Sequence, residues 1–154
     1  CALVAALAPH VGGVDVEIRR DGSSALIEDA HAAGALVIGS FHDFEGTPSD
    51  DQLAEVLADM NYAGADVLKF ACMAHSATDA ARVLGAQAWA REAYDRPVIG
   101  IAMGPNGAPT RLVGSALGSA ATFATLPGAE GSAPGQFTIE QARAVLDIVE
   151  GSEA

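Results

Sequence analysis

The sequence predicts an α/β fold in which one parallel sheet is covered by helices. Three observations lead there. Short apolar stretches alternate with longer helical ones along the whole chain. The apolar stretches lack a polar face, as strands of a sheet covered on both sides do. Glycines follow several helical stretches, where a left-handed cap residue is wanted: Gly34, Gly64 and Gly118.

The elements follow in order. Residues 1–7 read as the tail of a helix, broken by Pro9, Gly12 and Gly13. Strands are expected at 14–18, 36–41, 67–72, 98–103 and 120–124. Helices are expected at about 24–33, 49–62, 76–94, 111–117 and 138–149. Ser49 with Gln52 and Thr138 with Gln141 fit the reciprocal capping pattern at a helix start. Ser76 with Asp79 is a weaker form of it. The result is five βα units in a single domain, residues 1–154. A chain that opens inside a helix reads as a piece of something longer.

Composition narrows the function. Half of the 154 residues are apolar and 18% are charged, which excludes a disordered chain. The formal net charge of −12 argues against nucleic acid and anionic membranes as partners. It leaves room for an anionic small molecule in a local cationic pocket. No apolar run approaches the roughly 18–20 residues of a membrane span, and the apolar start lacks the basic flank of a signal peptide. Two cysteines, Cys1 and Cys72, do not make a disulfide framework, which suits a reducing, cytoplasmic setting. Histidines and cysteines do not cluster at metal-ligand spacing. No phosphate loop or serine elbow is present.

In folds of this kind chemistry gathers at the C-terminal strand ends. The third strand, "GADVLKFACM", carries Lys69, the only lysine beside seven arginines. It could be a structural lysine whose amine reaches the rim. Its uniqueness and its apolar strand favour a functional amine, because burial disfavours the ammonium form and frees a nucleophile for imine formation. His42 ends the second strand in "GSFHDFEGTP" and suits a proton shuttle. Asp43 either orients His42 or opens the turn before Thr47 and Pro48. His10, His31 and His75 read as ordinary histidines. The first strand ends in Asp15, Val16 and Glu17. Arg111 starts the fourth helix, where a cation is slightly unfavourable, so an anion is expected nearby. Ser132 and Gln136 lie in "GSAPGQF", which reads as a connector or as a lid with polar contacts.

Together, "VDVEI", "GSFHDFEGTP", "GADVLKFACM", "RPVIGIAMGPNGAPTRLVGSALGSAATFA" and "GSAPGQFTI" resemble the type I 3-dehydroquinate dehydratases, in the family's order and near its spacing. The resemblance implies a partial (β/α)₈ barrel, strands four to eight of eight, with the three N-terminal strands absent. The family's "EWR"-like and "EGG"-like segments would lie on those strands. It implies dehydration of 3-dehydroquinate to 3-dehydroshikimate, in the shikimate route to aromatic compounds, without metal or organic cofactor. It makes Lys69 the Schiff-base lysine, His42 the proton shuttle, Arg111 the reader of the substrate carboxylate, and Ser132 and Gln136 substrate contacts from a lid. Glu17 matches a family position on its strand. A homodimer is compatible with this reading. The alternatives are another Schiff-base lyase or aldolase on the same fold, and an inactive fragment or binding domain. Five strands cannot close such a barrel. Residues 1–154 alone are therefore expected to expose two apolar sheet edges, at 14–18 and 120–124, and to self-associate without activity.

Overall fold

The computed structural model describes residues 2–129, 131, 133 and 135–151. Its centre is a parallel sheet of four strands in the order β1-β2-β3-β4: β1 Gly13–Glu17, β2 Leu36–Asp43, β3 Val67–Met73 and β4 Val98–Met103. The helices are α1 Ala2–Leu7, α2 Ser23–Ala32, α3 Asp50–Tyr62, α4 Ala77–Ala93, α5 Thr110–Val113 and α6 Ile139–Val149. The starts of α3 and α6 form the expected reciprocal caps, Ser49 with Gln52 and Thr138 with Gln141. Ser76 caps α4 by accepting from the Asp79 N–H. Gly34 and Gly64, just past α2 and α3, take left-handed φ values of 82° and 86° that other residues resist. Among the described residues, no helix is long and apolar enough to cross a membrane.

Alternation along the strands makes two different faces. Leu68, Phe70 and Cys72 of β3 are fully buried with Val37, Leu53, Leu57, Met60 and Val83, in the core between sheet and helices. Burying each large apolar side chain contributes roughly 1.5–3 kcal/mol. Ala71, Ile99, Ile101 and Met103 form a separate, smaller apolar cluster. The register sets Glu17, Ser40, Lys69 and Ile99 in one row across the four strands, with His42, Ala71 and Ile101 in the next row of β2, β3 and β4.

The fifth strand expected at 120–124 is not part of this sheet. On the outer edge of β4, the Gly100 N–H donates to Gln87 Oε1 at 2.9 Å and the Ala102 N–H to Thr110 Oγ1 at 3.3 Å. Two donors that a fifth strand would need are thus already engaged by side chains. The Ala120 N–H still donates to the Val98 carbonyl, beside an isolated bridge between Val98 and Ser119. The sheet therefore ends at β4, whose outer edge is partly covered, and not at the edge strand expected at 120–124. Gln87, fully buried on α4, also donates to the Gly114 and Leu117 carbonyls. The helix expected at 111–117 ends accordingly with α5, and a short 3₁₀ turn follows at Ser115–Leu117.

At the N-terminal ends of the strands, just before β3, Asp66 ties three parts of the chain together. Its Oδ2 accepts from the Val37 N–H at 2.8 Å and lies 2.9 Å from His31 Nε2, while Oδ1 is 3.7 Å from Arg96. His31 is thus a structural partner on α2. Burial raises the Asp66 pKa, but the Val37 N–H, His31 and Arg96 outweigh it, so the carboxyl sits below its ordinary range. Asp66→Ala leaves the buried Val37 N–H without its partner and should cost about 1–3 kcal/mol at neutral pH, read as a lower urea midpoint. A native pKa below the unfolded one stabilises fully above the ordinary carboxylate range, and the effect fades as pH falls through the native value. The gap between parent and variant should therefore narrow in acid. A gap that widens there would contradict this account.

Candidate active site

Period-two alternation puts Asp15 and Glu17 on one face of β1, and Ser40 and His42 on the same face of β2. Lys69 of β3 projects from that face too, its side chain 11% exposed. Its apolar neighbours Leu68 and Phe70 point the other way, into the helix-covered core. The apolar surroundings expected for the amine are thus those of its flanks. Lys69 Nζ itself donates to Asp15 Oδ2 at 2.9 Å and lies 3.3 Å from His42 Nε2. Its immediate surroundings are therefore a carboxylate and an imidazole, not the purely apolar ones expected. The other Asp15 oxygen accepts from the Ser40 hydroxyl. The Phe123 ring lies beneath Nζ, 5.4 Å from ring centre to nitrogen, within cation–π range.

Glu17, not Asp43, is the carboxylate that holds His42. His42 Nδ1 is 2.7 Å from Glu17 Oε2. A carboxylate can only accept, so Nδ1 carries the proton. In the neutral ring Nε2 then has its lone pair free, facing Lys69. Asp43 follows His42 directly and so points to the opposite face. Its carboxylate accepts from the Glu45 and Gly46 N–H groups and shapes the loop, the turn role considered above. Phe44 stacks nearly parallel to the His42 ring, with centroids 5.9 Å apart.

Lys69 and His42 border a cleft of about 200 Å³, together with Phe44, Met103, Arg111, Phe123 and Gln136. Arg111 arrives there through the "GPNGAP" loop. A Cβ on Gly107 would lie 2.3 Å from the Ala102 carbonyl oxygen, so only glycine lets the loop fold back this tightly. That approach places Thr110 Oγ1 on the Ala102 N–H, and Arg111 follows it. Arg111 is 5% exposed, and burial draws its pKa down. The guanidinium stays charged, because arginine does not deprotonate in proteins. Of the expected site residues, His42, Lys69, Arg111 and Gln136 meet at one cleft, and Ser132 lies outside the described residues.

Cys72 is the other nucleophilic group on β3. Burial, then the Asp43 charge, pushes its thiol up to about 12, so it remains protonated on the helix side of the sheet. Among the described residues, no group of three or more histidine, cysteine or acidic side chains is arranged to hold a metal ion.

The sequence matches the family model of type I 3-dehydroquinase over residues 1–153. The chain belongs to that family. The 3-dehydroquinate dehydratase of Klebsiella pneumoniae is 41% identical over 139 residues, which is 88% of this chain and 55% of that protein. That of Alkaliphilus oremlandii is 42% identical over 142 residues, 88% of this chain and 54% of that protein. The crystal structure of the Geobacillus kaustophilus 3-dehydroquinate dehydratase superposes with a TM-score of 0.91 at 33% identity, over 99% of this chain and 60% of that one. The Clostridium difficile type I enzyme, solved with covalently modified comenic acid, gives a TM-score of 0.88 at 32% identity, over 99% and 61%. The chain thus spans just over half the length of the relatives it matches. In this chain, Asp15, which accepts from Lys69 Nζ, and Ser40, which donates to Asp15, are the polar partners of the site whose roles sequence reasoning missed. The signal available was the two-residue spacing of Asp15 and Glu17, which aims two carboxylates at one face of a strand.

Proposed function

We propose that this chain carries the imine-forming part of a 3-dehydroquinate dehydratase, within a (β/α)₈ barrel to which β1 to β4 contribute four neighbouring strands. The observation that carries the reading is the 3.3 Å approach of Lys69 Nζ to His42 Nε2, on a ring held from behind by Glu17. The amine passes a proton to His42 and attacks the substrate ketone. The carbinolamine takes a proton back from His42 and loses water. The resulting protonated imine draws electrons from the neighbouring carbon, which makes its C–H acidic. His42 removes that proton, an enamine forms, and the same imidazolium then protonates the departing hydroxyl. Water leaves, and hydrolysis of the conjugated imine frees Lys69. Arg111 offers a planar pair of donors to the substrate carboxylate, a geometry that lysine cannot reproduce. Gln136 supplies a polar contact from the loop above the cleft, and Ser132 is assigned the same role on resemblance alone.

The test is to translate the complete reading frame that contains this chain and incubate the protein with 3-dehydroquinate. The expected result is 3-dehydroshikimate, followed by the absorbance of its conjugated ketone. Borohydride added during turnover should leave a mass adduct on the peptide that holds Lys69. Carbon–carbon cleavage products would favour an aldolase instead. Absence of both product and adduct would remove the reading.

A further inference from the structure

We propose that Asp15 is the counter-ion of the protonated imine on Lys69. The proposal rests on the imine chemistry above, and it assigns a task to a carboxylate that this chemistry leaves unused. Asp15 Oδ2 lies 2.9 Å from Nζ. The charge at that atom is the same at both ends of imine formation. Nζ begins with three protons and a positive charge. Two of the protons depart with the ketone oxygen as water, and one proton and the charge remain on nitrogen. A carboxylate that pairs with the ammonium is therefore already in place for the iminium. It favours the protonated imine over the neutral one, and only the protonated form is a strong electron sink.

Among the described residues, the surrounding groups leave this task to Asp15. Glu17, the other carboxylate on this face of β1, has Oε2 engaged by His42 Nδ1. From β2, His42 presents Nε2, which must be free to take and return protons. From α5, Arg111 borders the same cleft and adds positive charge, which disfavours a second cation at Nζ. The neighbouring side chains of β4 are Ile99, Ile101 and Met103, without charge. Phe123 offers a ring face to Nζ but no counter-charge. Ser40 is fully buried, and its hydroxyl donates to the second Asp15 oxygen, which fixes the carboxylate's orientation.

The experiment uses the protein from the complete reading frame, 3-dehydroquinate as the carbonyl probe, and two reductants. Cyanoborohydride reduces protonated imines, whereas borohydride reduces neutral ones as well. Adducts on Lys69 are quantified by peptide mass across neutral to alkaline pH for the parent, Asp15→Asn and Asp15→Glu. In the parent, cyanoborohydride trapping should persist into alkaline solution. In Asp15→Asn its midpoint should fall by about one to three pH units, the usual effect of one close opposite charge. Borohydride trapping should continue there, and Asp15→Glu should restore much of the range. If Asp15→Asn does not fold, Ser40→Ala keeps both charges, frees the carboxylate to turn, and should lower the midpoint by a smaller step. Unchanged midpoints in every folded variant overturn the counter-ion assignment and leave the Schiff-base reading standing. No adduct on Lys69 in the parent with either reductant overturns both.

Discussion

Lys69→Arg should reduce turnover of 3-dehydroquinate by the protein of the complete reading frame to the uncatalysed background and remove borohydride trapping at residue 69. The substitution keeps a positive charge opposite Asp15, so the ion pair that holds the side chain in the cleft is retained in kind. What is lost is the ability to shed a proton, because a guanidinium stays protonated throughout the accessible pH range. Without a neutral nitrogen no imine forms, and without an imine the carbon acid next to the ketone lacks its electron sink. Lys69→Ala should be equally inactive. Its fold should survive, since Asp15 is 44% exposed and water can solvate the charge left behind. The assay is product absorbance with peptide mass spectrometry. Lys69 is the only lysine among these 154 residues, so an adduct mapped to a lysine within them has one address. Turnover by either variant, or an adduct that persists away from residue 69, would show that another group forms the imine.

The legible parts of the site were those marked by residue type and strand position. A single lysine in a βα repeat and a histidine ending the preceding strand could be paired because consecutive parallel strands tend to be neighbours. The register that brings Ser40 beside Lys69, and lets Nζ reach Asp15 two strands away, is set by tertiary pairing and leaves no local trace. Asp43 drew attention through adjacency to His42, yet neighbouring residues in a strand face opposite ways, and Glu17 on β1 is the actual partner. Residues 120–124 have the composition of a strand. Whether they pair depends on which donors β4 leaves free, and Gln87 and Thr110 engage two of them from elsewhere in the chain. Helix starts were read well for the opposite reason: a cap is written within four consecutive residues.

His42→Ala should slow turnover by ~10²–10⁴-fold, the usual contribution of a positioned proton shuttle, while Lys69 still forms its imine. The two steps separate because they need different things. Imine formation needs an amine, a ketone and a proton carrier, for which water can substitute slowly once the His42 ring is gone. Elimination needs a base fixed against one particular C–H, and then an acid at the hydroxyl that leaves. In the proposed mechanism both are the Nε2 side of a single ring, aimed by the 2.7 Å contact of Nδ1 with Glu17. The variant should therefore stall after imine formation and before water is lost. Borohydride should trap that state as an adduct on Lys69 heavier by one water than the adduct of the dehydrated product. Its mass reports which side of the elimination is blocked, independently of any rate. Near-parental turnover in His42→Ala would mean that another group moves the proton. A trapped adduct that has already lost water would place the slow step in imine hydrolysis, and His42 would then not be the base for the elimination.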